Sequence, residues 1–76
     1  MIAHEIFTLI KDTFPNSDTK ITRETTANDI EEWDSLGHIM LIQAIEEKFK
    51  IEFDLDELLE FNRVGDIIEA VKKKKE

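Results

Sequence analysis

The stretch "DSLGHIMLIQAIEEKFK", Asp34 to Lys50, decides the predicted fold because it contains one strongly patterned helix. We predict that this helix runs from about Ser35 to Lys50. Asp34 is a suitable N-cap, since its carboxylate can accept the unpaired amide hydrogens of the first turn. Four apolar residues fall within one arc of about 100° when the stretch is drawn as a helix, and this arc predicts the core side. They are Leu41, Ile42, Ile45 and Phe49.

The opposite side of the same helix carries three apolar residues among polar ones. Leu36, Ile39 and Met40 lie on this predicted wet side, which they share with Ser35, Gln43, Glu46, Glu47 and Lys50. One interpretation is that the preceding loop or the next helix covers them. The other is a contact surface for a partner protein, apolar and ringed by acids. A methionine suits such a surface because its side chain is flexible and polarizable.

Helical periodicity also appears before and after this stretch. Ile2, Ile6, Leu9 and Ile10 predict a helix over roughly residues 2–14, which Pro15 ends. A short third helix, capped by Asp54 or Asp56, bears Leu55, Leu58, Leu59 and Phe61. The last helix lies in "NRVGDIIEAVKKKKE", where Val64, Ile67, Ile68 and Val71 form the apolar stripe. We interpret its lysine-rich end as solvated and frayed.

Residues 15–34 form a long polar connection without a sustained period. Connections beyond about 12–15 residues in compact domains are usually functional or disordered. We expect Ile21, Ile30 and Trp33 to attach this loop to the core, with a short turn near residues 28–31. The predicted fold is therefore all-α: one domain, residues 1–76, forming a small four-helix bundle of three main helices and one short helix with a long first loop.

Charge and composition narrow the range of functions. The chain has 76 residues and a net charge of -8. Residues 24–60 hold twelve acids and two bases, so this segment is strongly negative and repels nucleic acid. The acids either attract basic protein surfaces or only keep a small protein soluble. The absence of cysteine excludes disulfides and thiolate metal sites. No signal peptide or membrane-spanning run is visible, so we expect a cytoplasmic protein without membrane contact.

Catalysis and metal binding receive little support from the residues. Ser35 has His38 three residues on and Asp34 beside it, but an acyl-transfer enzyme also needs a substrate cavity and an oxyanion site. "DLDELLEFNRVG" starts like a calcium loop, yet positions 6 and 12 are Leu59 and Gly65 instead of Gly and Glu. We expect neither an enzyme nor a metal site. Ser35 is either part of a plain helix cap or a site of covalent modification, where a phosphate would suit the helix N-terminus.

Two stretches resemble the signature of acyl carrier proteins and the related peptidyl carrier domains. "WDSLGHIMLIQAIEEKF" has the core motif Asp34-Ser35-Leu36 and ends in Glu46-Glu47-Lys48-Phe49. "RVGDII", residues 63–68, resembles the Val-Gly-Asp opening of the family's last helix. The resemblance covers nearly the whole chain, including the long first loop.

The resemblance implies that Ser35 carries 4'-phosphopantetheine, which a phosphopantetheinyl transferase attaches from coenzyme A. The thiol of that arm would hold an acyl or aminoacyl group as a thioester, and the protein would be a monomeric shuttle, not a catalyst. Its other partners would be acyl-loading and acyl-accepting enzymes with basic docking patches. The implied partner-binding residues are Asp34, Leu36, Ile39, Met40, Gln43, Glu46, Glu47, Asp56 and Glu57. Exchanging Glu46 and Glu47 for lysine should slow loading and leave the fold intact.

Four positions depart from the fatty-acid-synthesis members of the family. Those members commonly have acids where Gly37 and Met40 stand, a small residue at Trp33 and a threonine at Arg63. The resemblance therefore favours a specialised bacterial carrier in a lipid, polysaccharide or secondary-metabolite pathway. Two alternatives stay open: an aminoacyl or peptidyl carrier working with an adenylating ligase, and an unmodified acidic binding module that uses Leu36, Ile39 and Met40.

Overall fold

The computed structural model describes residues 2–75 and shows four α-helices in this part of the chain. The helices are α1 (Ile2–Thr13), α2 (Ser35–Phe49), α3 (Leu55–Leu59) and α4 (Val64–Lys75), and a single 3-10 turn spans Ala27–Asp29. The described chain measures 32 × 25 × 20 Å along its principal axes. The prediction of an all-α bundle with three main helices, one short helix and a long first loop is confirmed.

The core lies where α1, α2 and α4 meet. The predicted core arc of α2 is confirmed, because Leu41, Ile42, Ile45 and Phe49 are all buried. The opposing helices contribute branched aliphatic side chains that interdigitate with this arc, as expected for a closely packed interior. The buried apolar residues from the rest of the chain are Ile6, Ile10, Phe14, Ile30, Trp33, Phe53, Val64, Ile67, Ile68 and Val71.

The long first loop is an ordered part of this core. Ile30 and Trp33 are buried, and Ile21 is half-buried against the same cluster, as the sequence predicts. The backbone of the loop also binds the start of α4: the Val64 N–H donates to the Thr25 carbonyl at 2.9 Å. Such contacts satisfy backbone groups that the first turn of α4 cannot pair internally. The loop that leads into α2 is thus attached both to the core and to the start of α4.

The lysine-rich end of α4 is helical through Lys75, so the interpretation of a frayed end is wrong for the described residues. The Lys74 ammonium lies 2.9 Å from the Glu57 carboxylate and 5.8 Å from the centre of the Phe53 ring. The Lys75 ammonium donates to the Phe49 carbonyl at the end of α2, at 3.2 Å. These two lysines connect α4 to α2 and α3, contacts that the helical pattern of the sequence does not reveal.

No helix within residues 2–75 is both long and apolar enough to cross a membrane.

Candidate functional site

Ser35 is the first residue of α2, and its side chain is exposed. The predicted cap is confirmed at the preceding residue, where the Asp34 carboxylate accepts the Gly37 N–H at 2.8 Å. The Asp34 carbonyl accepts the His38 N–H, also at 2.8 Å. Since Asp34 supplies the capping oxygens, the Ser35 hydroxyl is not needed to close the helix. A solvent-facing hydroxyl therefore stands at the start of α2.

The electrostatics of this position suit an anionic substituent. The amides of Ser35 and Leu36 lie in the first turn and have no intrahelical acceptor, and the helix dipole is positive there. A phosphate on the Ser35 oxygen would be favoured by both effects. The Asp34 carboxylate opposes them by charge repulsion, although the Gly37 amide bonds one of its oxygens.

Three rings lie against each other beside Ser35. Trp33 stacks on Phe14 with ring centroids 5.5 Å apart, and its ring lies nearly parallel to that of His38 with centroids 6.1 Å apart. The indole N–H of Trp33 also donates to Nδ1 of His38 at 2.9 Å. The expectation that His38 packs against a neighbouring segment is confirmed. The hydrogen bond between His38 and Trp33 was not predicted, because helical periodicity does not show which atom of the loop lies next to a helix residue.

His38 is held in its neutral form by this environment. Partial burial lowers its pKa, because burial disfavours the charged imidazolium. The indole N–H is only a donor, so Nδ1 must be the acceptor and the ring proton lies on Nε2. Protonation of Nδ1 would place two donors against each other and break the bond to Trp33.

We predict that acidification weakens the fold through His38. In the unfolded chain this group has an ordinary pKa of about 6.5, and in the folded chain its pKa is lower. The unfolded state therefore takes up the proton first, so the free energy of unfolding falls as the pH drops below about 6.5. Urea unfolding between pH 7.5 and 5.5 should show this fall, and the fluorescence of the single tryptophan should change with it.

His38→Gln is the control for this pH dependence, because it removes the titrating group and leaves His4 in place. Its free energy of unfolding should vary less with pH over the same interval. The carboxylates whose pKa the fold lowers, Glu57, Asp66 and Glu69, titrate below this window. Equal slopes in the two proteins would contradict the role given to His38.

A triad for acyl transfer is not assembled around Ser35. An orienting acid would have to bond the imidazole, but the Asp34 carboxylate bonds the Gly37 amide. Nδ1 of His38 is bonded to the Trp33 indole instead. An open groove of about 480 Å³ does adjoin the serine. Within residues 2–75 no cluster of acids and histidines has a geometry that could hold a metal ion.

The apolar residues on the outer face of α2 are exposed. Leu36 is 67% exposed, Ile39 54% and Met40 50%. The interpretation in which the loop or α3 covers them is therefore wrong. Asp34, Gln43 and Glu47 are exposed on the same helix or at its start. We call Leu36, Ile39 and Met40 the outer patch.

Two of the predicted partner-binding acids have structural contacts of their own. The Glu46 carboxylate accepts the Phe53 N–H at 2.9 Å, so Glu46→Lys would remove a contact between α2 and the segment before α3. The Glu57 carboxylate accepts the Asp54 N–H at 2.8 Å and pairs with Lys74, and these contacts lower its pKa. Asp56 is exposed.

The short helix α3 adds two exposed apolar side chains that the sequence did not single out. Leu55 is 70% exposed and Leu59 75%, whereas Leu58 and Phe61 are partly buried against the core. The two exposed residues are four apart, which places them on one face of α3. In a helix of five residues, spacing alone cannot tell which leucines face the core.

Comparison with protein-family models matches residues 5–71 to the family described as the phosphopantetheine attachment site. The match covers most of the 76-residue chain. This chain belongs to the phosphopantetheine-binding carrier family. Family membership brings a covalent 4'-phosphopantetheine, and the residues present fit it: an exposed hydroxyl, unpaired amides of the first turn and an adjoining groove are at one place.

Solved structures agree with this assignment. The carrier is similar to a holo acyl carrier protein from Geobacter metallireducens, with 40% identity and a TM-score of 0.87, over 96% of this chain and 84% of the other. It shares its fold with a proposed acyl carrier protein from Mycobacterium tuberculosis at 24% identity and a TM-score of 0.86, over 97% and 99% of the two chains. The comparison with curated proteins found no match. These similarities support an acyl carrier function, and carriers of this family are generally not catalytic.

The structure explains one departure from the fatty-acid-synthesis carriers. A Cβ atom at Gly37 would collide with the Glu32 carbonyl and lie 2.9 Å from the Phe14 ring. An acid cannot stand at this position while the loop follows its observed path. Gly37 lets the loop approach α2 closely enough for the contact between Trp33 and His38.

Proposed function

We propose that Ser35 is the attachment point of 4'-phosphopantetheine and that the 76 residues act as a single carrier domain. The proposal depends on one observation at the start of α2: the residue that caps the helix and the residue with the exposed hydroxyl are different. Asp34 closes the helix, and the Ser35 hydroxyl remains exposed beside a groove. When bound, the arm supplies a thiol that holds an acyl group as a thioester. The chain itself has no cysteine. It would position the arm and provide the charged docking face for partner enzymes.

The docking face comprises the outer patch and the exposed acids beside it. Apolar contact from Leu36, Ile39 and Met40 would supply affinity, while Asp34, Glu47 and Asp56 would attract enzymes with basic patches. Gln43 would add a polar contact. Glu46 and Glu57 would act mainly through the local structure that they stabilise. Leu55 and Leu59 on α3 extend the set of apolar side chains open to a partner.

Modification by a transferase tests the attachment point. Incubation with coenzyme A and a promiscuous phosphopantetheinyl transferase should add the mass of one phosphopantetheinyl group. Ser35→Ala should abolish the gain, because the ester oxygen is missing. Ser17→Ala is the matched control: Ser17 is the only other serine, and its hydroxyl accepts the Thr19 N–H within the loop. It should load like the unaltered protein.

Failure to load with several transferases would contradict the attachment and favour an unmodified module that binds through the outer patch. A gain that persists in Ser35→Ala would place the attachment elsewhere. The departures at Gly37, Met40, Trp33 and Arg63 support a specialised bacterial carrier that serves lipid, polysaccharide or secondary-metabolite synthesis. We propose that it acts in the cytoplasm and has no catalysis of its own. Loading by an acyl-activating enzyme, and not by an aminoacyl-adenylating ligase, would separate the acyl carrier from the aminoacyl alternative.

A further inference from the structure

The groove beside Ser35 has both apolar and polar walls. It measures about 480 Å³ and opens to solvent next to the serine. Its apolar surface comes from Ala27, Trp33 and Phe61, and its polar groups from Asp34, Ser35 and His38. Ser35 and His38 are three residues apart on α2, so their side chains are neighbours on one face of the helix.

His38 is the one side chain of this lining that has a hydrogen to donate to a substituent on Ser35. The Trp33 N–H is already bonded to Nδ1 of His38. The Asp34 carboxylate is only an acceptor, and the Ser35 hydroxyl hydrogen is lost on esterification. Because Nδ1 accepts from the indole, the proton of the neutral imidazole lies on Nε2. Nε2–H is therefore a donor without a role in the contact to Trp33.

The orientation of this donor is set by the loop. Trp33 is 6% exposed, stacks on Phe14 and has its indole edge toward His38. Its stacking on Phe14 fixes the indole, and the hydrogen bond from the indole N–H restricts the rotation of the imidazole. Trp33 thus acts on the groove as a positioning residue, and a phenylalanine in its place would retain the ring without the N–H.

We propose that this groove binds the base of the phosphopantetheine arm, with Nε2–H of His38 donating to a phosphodiester oxygen. Trp33 and Phe61 would pack against the segment of the arm that carries the two methyl groups. The inference rests on the proposed attachment at Ser35. The hydrogen bond from His38 would offset part of the repulsion between the phosphodiester and Asp34, and it would hold the base of the arm against the protein while its thiol end stays free.

The test uses the full chain in its apo form and after loading from coenzyme A, with loading confirmed by mass. In the loaded protein, nuclear Overhauser contacts should join the arm's methyl protons to the ring protons of Trp33 or Phe61. The indole N–H resonance should shift on loading, because the arm covers its surroundings. Neither measurement requires a variant to fold, so both report on the inference directly.

Variants then test the hydrogen bond itself. His38→Ala should move the phosphorus-31 resonance of the loaded protein toward that of a phosphopantetheinylated unstructured peptide. Trp33→Phe should move it in the same direction, and Lys48→Ala, an exposed change on the same helix, should leave it in place. A loaded protein without methyl-to-ring contacts, whose phosphorus resonance is the same in His38→Ala, would overturn the inference and leave the proposed function intact. A protein that cannot be loaded at Ser35 would instead refute the proposed function.

Discussion

Leu41→Ala should destabilise the fold and Leu36→Ala should slow loading, although both remove the same atoms from the same helix. Leu41 is fully buried among α1, α2 and α4, and its truncation leaves a cavity that costs about 2–5 kcal/mol. A domain of this size is stable by roughly 4–11 kcal/mol, so Leu41→Ala should remove a large share of the stability. Leu36 is 67% exposed, and its truncation should change the free energy of unfolding by less than about 0.5 kcal/mol.

The loading rate should depend on Leu36 more than on Leu41. Leu36 belongs to the outer patch, so Leu36→Ala should slow phosphopantetheinylation through weaker binding of the transferase. Leu41→Ala, measured at a temperature where it stays folded, should load at nearly the unaltered rate. Urea unfolding and the initial rate of mass gain measure the two properties separately. Normal loading of Leu36→Ala at subsaturating protein would remove Leu36 from the docking face.

Glu47→Lys provides the electrostatic counterpart of the same experiment. Glu47 is exposed, whereas the Glu46 carboxylate accepts the Phe53 amide hydrogen. The charge of Glu47 can therefore be reversed without the loss of a structural contact. The variant should load more slowly at low salt and approach the unaltered rate at high salt, because screening removes the steering effect. A rate that does not depend on salt would contradict an electrostatic docking face.

Local rules were sufficient to predict the helices and the cap of α2. The core arc of α2 follows from the helical repeat, and the contact between Asp34 and Gly37 spans three residues. The same geometry placed Ser35 and Leu36 on the side away from the core arc, but it left open whether the loop or α3 would cover Leu36. These features depend on neighbours along one helix, for which sequence spacing translates directly into distance.

Features that depend on the path of the loop could not be predicted from helical periodicity and capping. The Trp33 indole could have faced any part of α2, and its bond to His38 arises only because the loop packs against Phe14. The contact of Lys74 with Glu57 joins residues on different helices, and its formation requires the observed placement of α3. Periodicity identifies a helix face but does not say which distant segment will meet it.

Gly37 shows how a local rule can even point the wrong way. Within a helix, exchange of glycine for alanine normally stabilises by up to about 1 kcal/mol, because alanine loses less backbone entropy. At Gly37 the added Cβ would meet the Glu32 carbonyl and the Phe14 ring. Backbone atoms cannot move aside as the end of a flexible side chain can, so the loop itself would have to shift.

We therefore expect Gly37→Ala to lower the free energy of unfolding by about 1–3 kcal/mol, the usual cost of overpacking. Because the loop carries Trp33, the fluorescence of this single tryptophan should change in the folded state, and the indole N–H should lose its bond to His38. Gly65→Ala is the matched control, since its Cβ would lie 3.1 Å from the Arg23 carbonyl and needs a much smaller shift. Gly37→Asp, which restores the acid of the fatty-acid-synthesis carriers, should be at least as destabilising as Gly37→Ala. A Gly37→Ala protein that is as stable as the unaltered protein and keeps its indole resonance would contradict this explanation. The absence of an acid at position 37 would then need a reason other than the close approach of the loop.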